Sequence, residues 1–408
     1  MSRLTQAIQA IRRGEIVIVA DADDRENEGD LIMAAEAATP EKIAFFLQHT
    51  SGVICAGLPG ERCDELGLPP MVWDNQDPKG TAFTLSVDAA DGVTTGISAA
   101  DRALTLRRLA DASAVPSTFV RPGHIFPLRS QAGGVLKRPG HTEASTDLMR
   151  MAGLSEVGVL SEVVTSDRQA MARTADLKRL ASEYRIPFLT IEDIARYRSS
   201  HEQLVTHVSQ AAMPTDYGKY NCHVFRSLID GVEHVALTYG DLDNSTPVAV
   251  RVHSECLTGD IFGSRRCDCG QQLSDSLRLI AAEGAGVVVY MRGHEGRGIG
   301  LGDKLRAYAL QEQGYDTVDA NLALGLPVDS REYSIGAQIL KELGVTEMRL
   351  ITNNPDKLRA MQGMGIEIAG RIALPQGATT ENRFYLETKQ RRMGHMLTDV
   401  GAAHVKLG

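Results

Sequence analysis

Short unbroken apolar runs alternate along the chain with stretches of helical period, and the loops between them gather glycine, acids and arginine. Glu15-Ile-Val-Ile-Val-Ala20 is continuous and β-branched, which predicts a buried strand. Before it, Leu4, Ile8 and Ile11 share one face and predict a first helix over 3–13. Thr39 as N-cap, with Pro40 in the first turn, opens a helix over 39–50. A short strand is expected at 51–55 and an alternating one at 83–87; Ser98 or Asp101 caps a helix across 101–112. After a turn and short strand at 124–128, Ala144, Leu148 and Met151 mark a helix, and 157–160 a strand. Helices at 177–184 and 191–198 flank a strand at 186–189.

The stretch 199–215 is polar and reads as a boundary, with Met213-Pro214-Thr215 as a break. Strands follow at 223–229, 233–239, 248–253, 287–291 and 349–353, and helices at 271–283 and 334–343. A length of 408 residues suits two domains, since one takes about 100–200 residues. We therefore expect domains at 1–203 and 204–408. The fold class is α/β, of the α+β type: two mixed-sheet domains with flanking helices.

The net charge of −9 argues against nucleic acid or a membrane surface as partner, so anionic ligands need local basic clusters. Six cysteines in a chain this long are no disulfide framework; clustered, with no secretion signal, they read as metal ligands of a cytoplasmic protein. Three of them, Cys256, Cys267 and Cys269, fall within fourteen positions, and no fourth follows. Structural zinc is closed by four protein ligands, whereas catalytic zinc keeps a place for water. The spacing points to zinc that still has chemistry to do; the alternative is a closed site with His253 or His294 as a distant fourth ligand. Asp21 to Asp30 holds six acids and Arg25 directly after a buried strand, where α/β folds place ligand sites. Such hard oxygen donors suit Mg²⁺ or Mn²⁺, although an acidic run alone also reads as a solvated loop. Lys137, Arg138, Gly140 and Thr142 lead into a helix start, a ready phosphate site, and His141 there is a candidate metal ligand or a satisfied core histidine. The Gly/Arg loop 292–301, with Arg297, is a second candidate for phosphate or an ordinary turn.

Asp23-Asp24-Arg25-Glu26-Asn27-Glu28-Gly29-Asp30, Ser51-Gly52-Val-Ile-Cys55 and Arg138-Pro139-Gly140-His141-Thr142-Glu143-Ala144 resemble 3,4-dihydroxy-2-butanone 4-phosphate synthase over about residues 1–200. That resemblance implies conversion of ribulose 5-phosphate to a four-carbon phosphate plus formate, with Mg²⁺ or Mn²⁺. It implies Glu26 and His141 as metal ligands, and Arg25, Asp30, Arg138, Pro139, Gly140, His141 and Thr142 around substrate and phosphate. It also implies His124 and Glu162 in proton transfer, with Cys55 and Thr95 lining the site. The chain departs from the family pattern at Ser161, where cysteine is common, and in the loop 163–170, which lacks the usual Asp-Gly.

Arg251-Val252-His253-Ser254-Glu255-Cys256, Cys267-Asp-Cys269-Gly, Glu295-Gly296-Arg297, Asp329-Ser330-Arg331 and Thr352-Asn-Asn354 resemble GTP cyclohydrolase II over about 210–400. This implies Zn²⁺ on Cys256, Cys267 and Cys269, and GTP, with its own Mg²⁺, on Arg251, Val252, His253, Ser254, Glu255, Gln272, Glu295, Gly296, Arg297, Thr317, Thr352 and Lys357. Asp329 is the implied proton acceptor, Arg331 the implied nucleophile in diphosphate loss, and Tyr308 a further catalytic residue. An arginine nucleophile sits uneasily with a guanidinium that stays protonated, so charge stabilisation is its firmer role. Gly293-His294 replaces a single glutamine usual before Glu295. Together the halves imply a bifunctional riboflavin-biosynthesis enzyme, a homodimer by default. Alternatives are a zinc- and GTP-binding regulatory protein, or an enzyme active only in its cyclohydrolase half.

Overall fold

The computed structural model describes residues 2–397 except Asp24, Asn244, Ser330, Glu332, Gly363, Gln376 and Gly377. Asp24 and Ser330, part of two of the motifs above, thus lie outside the described residues. The chain divides into two compact units, Met1–Arg198 and Ser199–Gly408.

Unit 1 is built on a seven-stranded mixed sheet. Its strands are β1 (Val17–Ala20), β2 (Gly29–Ala34), β3 (Cys55–Pro59), β4 (Val87–Ala89), β5 (Phe119–Ser130), β6 (Gly158–Glu162) and β7 (Phe188–Thr190). They lie in the order β4-β5-β3-β6-β2-β1-β7, with β1–β7 and β3–β5 parallel and the other pairs antiparallel. β1 and β2 are buried along their whole length. Side chains alternate across a strand, so Ile18, Leu31 and Met33 join one core while Val17, Val19 and Ile32 join another. The first core takes Ile43 and Phe46 from the helix Pro40–His49 and Leu106 from the helix Ala99–Ala110. The second takes Leu4 and Ile11 from the helix Arg3–Arg12 and Ala144 and Leu148 from the helix His141–Ala152. A sheet covered on both faces explains why its central strands read as apolar runs rather than alternating ones.

Caps match the expectation closely: Thr39 accepts from Lys42 N, and Ser98, rather than Asp101, accepts at the start of its helix. Three strands differ. Residues 51–54 are loop, and the strand starts at Cys55. Phe83 and Thr84 make only isolated bridges, to Leu128 and Pro70. β5 runs for 12 residues, far longer than the turn and short strand expected around His124, because both β3 and β4 pair with it.

Unit 2 also has a seven-stranded mixed sheet: β8 (Val205–Thr215), β9 (Gly218–Ser227), β10 (Glu233–Tyr239), β11 (Val248–Ser254), β12 (Gly286–Met291), β13 (Glu347–Ile351) and β14 (Glu367–Ile372). The order is β14-β13-β11-β12-β10-β9-β8, parallel from β14 to β12 and antiparallel from β12 to β8. Leu277 and Ile280 of the helix Cys269–Glu283 pack with Ala249, Val288 and Tyr220. Most of the polar stretch 199–215 expected as a boundary is β8, which runs through the break expected at Met213-Pro214-Thr215. Its side chains are mostly exposed, and it sits at the sheet edge, where Pro214 costs no ladder hydrogen bond. Among the described residues no helix is long and apolar enough to cross a membrane.

Candidate active sites of the two units

In unit 1 the loop between β1 and β2 is closed by the pairing Ala20↔Gly29, and Asp21 organises it. Asp21 Oδ1 accepts from Glu28 N at 2.9 Å, and Oδ2 from Glu26 N at 3.1 Å and from Arg25 Nη1 at 3.0 Å. Arg25 Nη1 also reaches Glu26 Oε2 at 2.8 Å. Asp30, the second residue of β2, faces Glu162, the last of β6, across the ladder. His141 opens a helix whose N-cap, Gly140, has no capping side chain, so no cap takes up the backbone N–H groups of the first turn. Nδ1 of His141 lies 3.9 Å from Glu26 Oε2 and 3.8 Å from Asp30 Oδ1.

Those gaps are too wide for direct hydrogen bonds. His141 Nε2 and Asp30 Oδ1 are buried with no partner. Burial drives the His141 imidazole down to about 4, and burial, then Glu162 and Glu26, drives the Asp30 carboxyl well up. A neutral imidazole among crowded carboxylates, with donors of Asp21, Glu26 and His141 within 4.8 Å of one another, fits a hard divalent cation. Asp21 belongs to the acidic loop singled out above, yet its individual place was not foreseen; its one signal is that it directly follows the strand.

Other unit 1 candidates gather around this cradle. Cys55 is buried, which raises its thiol, and Glu162 and Asp30 raise it further. Ser51 Oγ donates to Glu162 Oε2 at 3.0 Å. Arg138 is held by Glu143 at 2.7 Å and by the Lys79 carbonyl at 3.1 Å, while Thr142 is buried and Pro139 exposed on either side of Gly140 and His141. His124 and exposed Thr95 form a second group around Asp88. His124 Nδ1 is 2.7 Å from Asp88 Oδ2, and Gly96, beside Thr95, packs so close to Asp88 that a Cβ would lie 2.0 Å from Oδ2. Among the described residues no hydrogen bond or ion pair joins this group to Glu26, His141 or Glu162.

Unit 2 places its candidates around one cavity. Cys256 follows β11, and Cys269 begins the helix Cys269–Glu283. Their thiols and that of Cys267 lie within 4.8 Å of one another, with Cys256 and Cys267 Sγ 3.7 Å apart. Zinc–sulfur bonds of about 2.3 Å in a tetrahedron set sulfurs ~3.8 Å apart, so the trio fits zinc. Gly259 permits the convergence, since a Cβ there would lie 2.8 Å from Cys267 Sγ. Neither His253 nor His294 belongs to the trio: His253 Nε2 is 3.1 Å from Asp260, and His294 Nδ1 is 3.3 Å from Ser254 Oγ. Asp260 also accepts from Cys256 N and Tyr290 OH, at 3.0 and 2.9 Å, and so fixes the loop. Hydrogen bonds from the other two thiols hold the Cys256 thiol far below its ordinary value, as does the Lys304 ammonium at 3.2 Å. Lys304 also donates to Glu295 and to Thr258.

The cavity is lined by Arg251, His253, Ser254, Glu255, Gln272, Gly296, Arg297, Tyr308, Thr317, Arg331, Thr352 and Lys357, all expected from the sequence. Val252 lies in the core and offers its carbonyl to Lys357 Nζ at 2.7 Å; Glu295 is buried behind Lys304; Asp329 clasps Arg331 through Nε at 2.8 Å. Burial pulls Lys357 well down, and Arg251 and Arg331 add repulsion. Burial opposes the charge on Arg331 too, yet the Asp329 hydrogen bonds hold its pKa above the ordinary value. Arg297 sits at φ +67°, a left-handed strain typical of ligand clamps. Lys304, Asn353, Tyr385, Lys389 and His395 also line the cavity and were not foreseen.

The sequence profile described as 3,4-dihydroxy-2-butanone 4-phosphate synthase matches residues 5–197, and that described as GTP cyclohydrolase II matches residues 206–373. The riboflavin biosynthesis protein RibBA of Nocardia farcinica is 55% identical over 99% of this chain and 98% of its own. The chain belongs to the bifunctional riboflavin-biosynthesis family. A relative of the same description from Chlamydia trachomatis is 53% identical over 97% of this chain and 93% of its own. Among solved structures, RibBX of A. baumannii, described as a two-domain 3,4-dihydroxy-2-butanone 4-phosphate synthase, superposes with a TM-score of 0.72. It is 35% identical and covers 91% of this chain and 100% of its own. As a member of the family, the protein is an enzyme with two activities, 3,4-dihydroxy-2-butanone 4-phosphate synthase and GTP cyclohydrolase II. Its substrates are accordingly small molecules, ribulose 5-phosphate and GTP.

Proposed function

We propose that the Glu26–His141 cradle holds Mg²⁺ or Mn²⁺ beside ribulose 5-phosphate, and that Cys256, Cys267 and Cys269 hold Zn²⁺ beside GTP. Held by Glu26 and His141, such a cation would supply charge stabilisation to the substrate as its carbonyl chemistry proceeds. The N–H groups of the helix opened by His141, with Arg138, bind the phosphate. Glu162 moves protons, oriented by Ser51. Asp88 fixes the proton of His124 on Nδ1 and leaves Nε2 as an acceptor for a second transfer. Arg25 and Asp30 hold sugar hydroxyls, and Cys55 and Thr95 shape the surroundings.

In unit 2, zinc held by Cys256, Cys267 and Cys269 would supply a Lewis acid at neutral pH. Arg297 and the Glu295–Gly298 turn clasp the triphosphate, assisted by Lys357 and Thr352, and Mg²⁺ accompanies the phosphates. Arg251 is fixed by Gln272 at 2.6 Å and by the Ile351 carbonyl at 3.0 Å, which presents it rigidly to the nucleotide, flanked by His253, Ser254, Glu255 and Thr317. Asp329 accepts a proton. Arg331, kept charged by Asp329, stabilises developing phosphate charge rather than attacking it. Tyr308, with the Arg266 and Lys304 cations over its ring, closes the side near the thiols.

The observation that carries the reading is in unit 2: Arg251, Arg297, Arg331 and Lys357 line one cavity with a three-thiol cluster, in a chain of net charge −9. Elemental analysis of purified enzyme should give one zinc per chain, with formate released from GTP only when zinc is present. Full GTP turnover by zinc-free protein would sink the assignment. We also take the protein to be a cytoplasmic homodimer. Unit 1 exposes Val72, Trp73, Ile97 and Val120, apolar side chains that a partner subunit would cover, and sedimentation should return twice the chain mass.

A further inference from the structure

Residues 382–397 lie beyond 373, where the match to the cyclohydrolase profile ends, yet Tyr385, Lys389 and His395 line the unit 2 cavity. This arm is anchored along its length. Leu386 and Lys389 of the helix Arg383–Met393 are buried, and Lys389 Nζ donates to Asp268 Oδ1 at 3.0 Å, between two of the three thiols in sequence. Gly394, at φ +62°, reverses the chain, so that His395 N donates to the Lys389 carbonyl at 3.1 Å and Met396 N to the Asn353 carbonyl at 2.9 Å. Leu397 then packs with Leu386.

The turn delivers one side chain with unfinished business. His395 Nε2 is buried and has no hydrogen-bond partner. Leaving such a group unpaired is unfavourable, so the position suits a ligand that supplies the missing acceptor. The charges of Lys389, Arg297 and Arg331 act on the ring against that of Asp268, and with Lys357 they line the same cavity, so the surroundings suit an anion. Burial, then Lys389 and Arg297, holds the imidazole down at about 3, so it is neutral and has one N–H to give.

We propose that His395 donates an Nε2–H hydrogen bond to a phosphate oxygen of the nucleotide, alongside Arg297, making the C-terminal arm part of the cyclohydrolase substrate site. This rests on the reading of the cavity as the GTP site. The test uses the full-length zinc-loaded enzyme, with steady-state formate release from GTP, zinc content, and formate release from ribulose 5-phosphate as a check on the fold. His395→Ala should raise KM for GTP about tenfold, the loss of one hydrogen bond to a charged group. Zinc content and the ribulose 5-phosphate reaction should stay as in the wild type. His395→Gln, whose amide can still donate, should recover part of the loss. A KM within twofold of wild type in both variants overturns the proposal, as does loss of zinc from His395→Ala. Guanosine, which carries no phosphate, is added as a competitor: if His395→Ala weakens its inhibition as much as it raises KM for GTP, the phosphate assignment is overturned. Arg297→Ala separates the two readings. An unchanged KM there removes the GTP reading of the cavity itself, whereas a raised KM beside an unaffected His395→Ala removes the arm's role alone.

Discussion

The two candidate cation cradles are assembled in opposite ways. The thiol trio of unit 2 comes from fourteen consecutive positions, with its sulfurs already within 4.8 Å of one another and Cys256 beside the Lys304 ammonium. The cradle of unit 1 draws on the β1–β2 loop, the start of β2, the end of β6 and a helix that opens at His141. Its donors stand apart, and burial with like charge strains them. Soft donors tolerate contact with one another through hydrogen bonding; hard carboxylates repel and are kept in place by the fold. One site therefore depends chiefly on a local sequence, and the other on a correctly folded sheet.

The sharpest way to break this comparison is to remove one ligand from each. Cys267→Ser should lower formate release from GTP by more than roughly 100-fold, beyond the loss of an outer-shell partner, and leave the ribulose 5-phosphate reaction near normal. Glu26→Ala should do the reverse. A folded single variant that loses both activities would contradict separate sites. Next in size, Lys304→Met removes the ammonium from Cys256 and from Glu295. Zinc affinity, read by competition with a chelator, should fall roughly 10- to 100-fold; an unchanged affinity would mean the trio needs no outer support. Ser51→Ala should lower kcat for ribulose 5-phosphate about tenfold by freeing Glu162, with GTP turnover unaffected. The smallest effect is expected at Thr39→Ala, which removes the cap of the helix Pro40–His49. It should cost about 1 kcal/mol in the unfolding of unit 1 and change neither activity.

Much of this was legible in the chain because it is encoded locally. Thr39-Pro40, the apolar run into Ala20 and the Cys256–Cys269 spacing each carry their own physics within a few residues. The misses share a cause as well. β2 begins inside an acidic loop, whose charges mask the short apolar run of Leu31, Ile32 and Met33. β8 carries mostly exposed polar side chains and a proline, and only its pairing with β9 makes it a strand. The helix Arg383–Met393 buries Thr388 and Lys389 beside Leu386, so no apolar stripe announces it. Lys389 and His395 were hidden for the same reason, since what makes them notable is where the fold buries their polar atoms. The Asp88 partner of His124 likewise emerges only from the pairing of β4 with β5.

Synthesis runs from the N-terminus, and the two cradles meet that fact differently. The first cannot close until β6 has been made, since Glu162 faces Asp30 only across a finished ladder. The second is spelled out by Cys269, before the strands β12, β13 and β14 exist. If this trio holds zinc as proposed, a nascent chain would carry all three ligands ahead of its fold, and a metal that also binds the unfolded chain stabilises the native state by less than its affinity suggests.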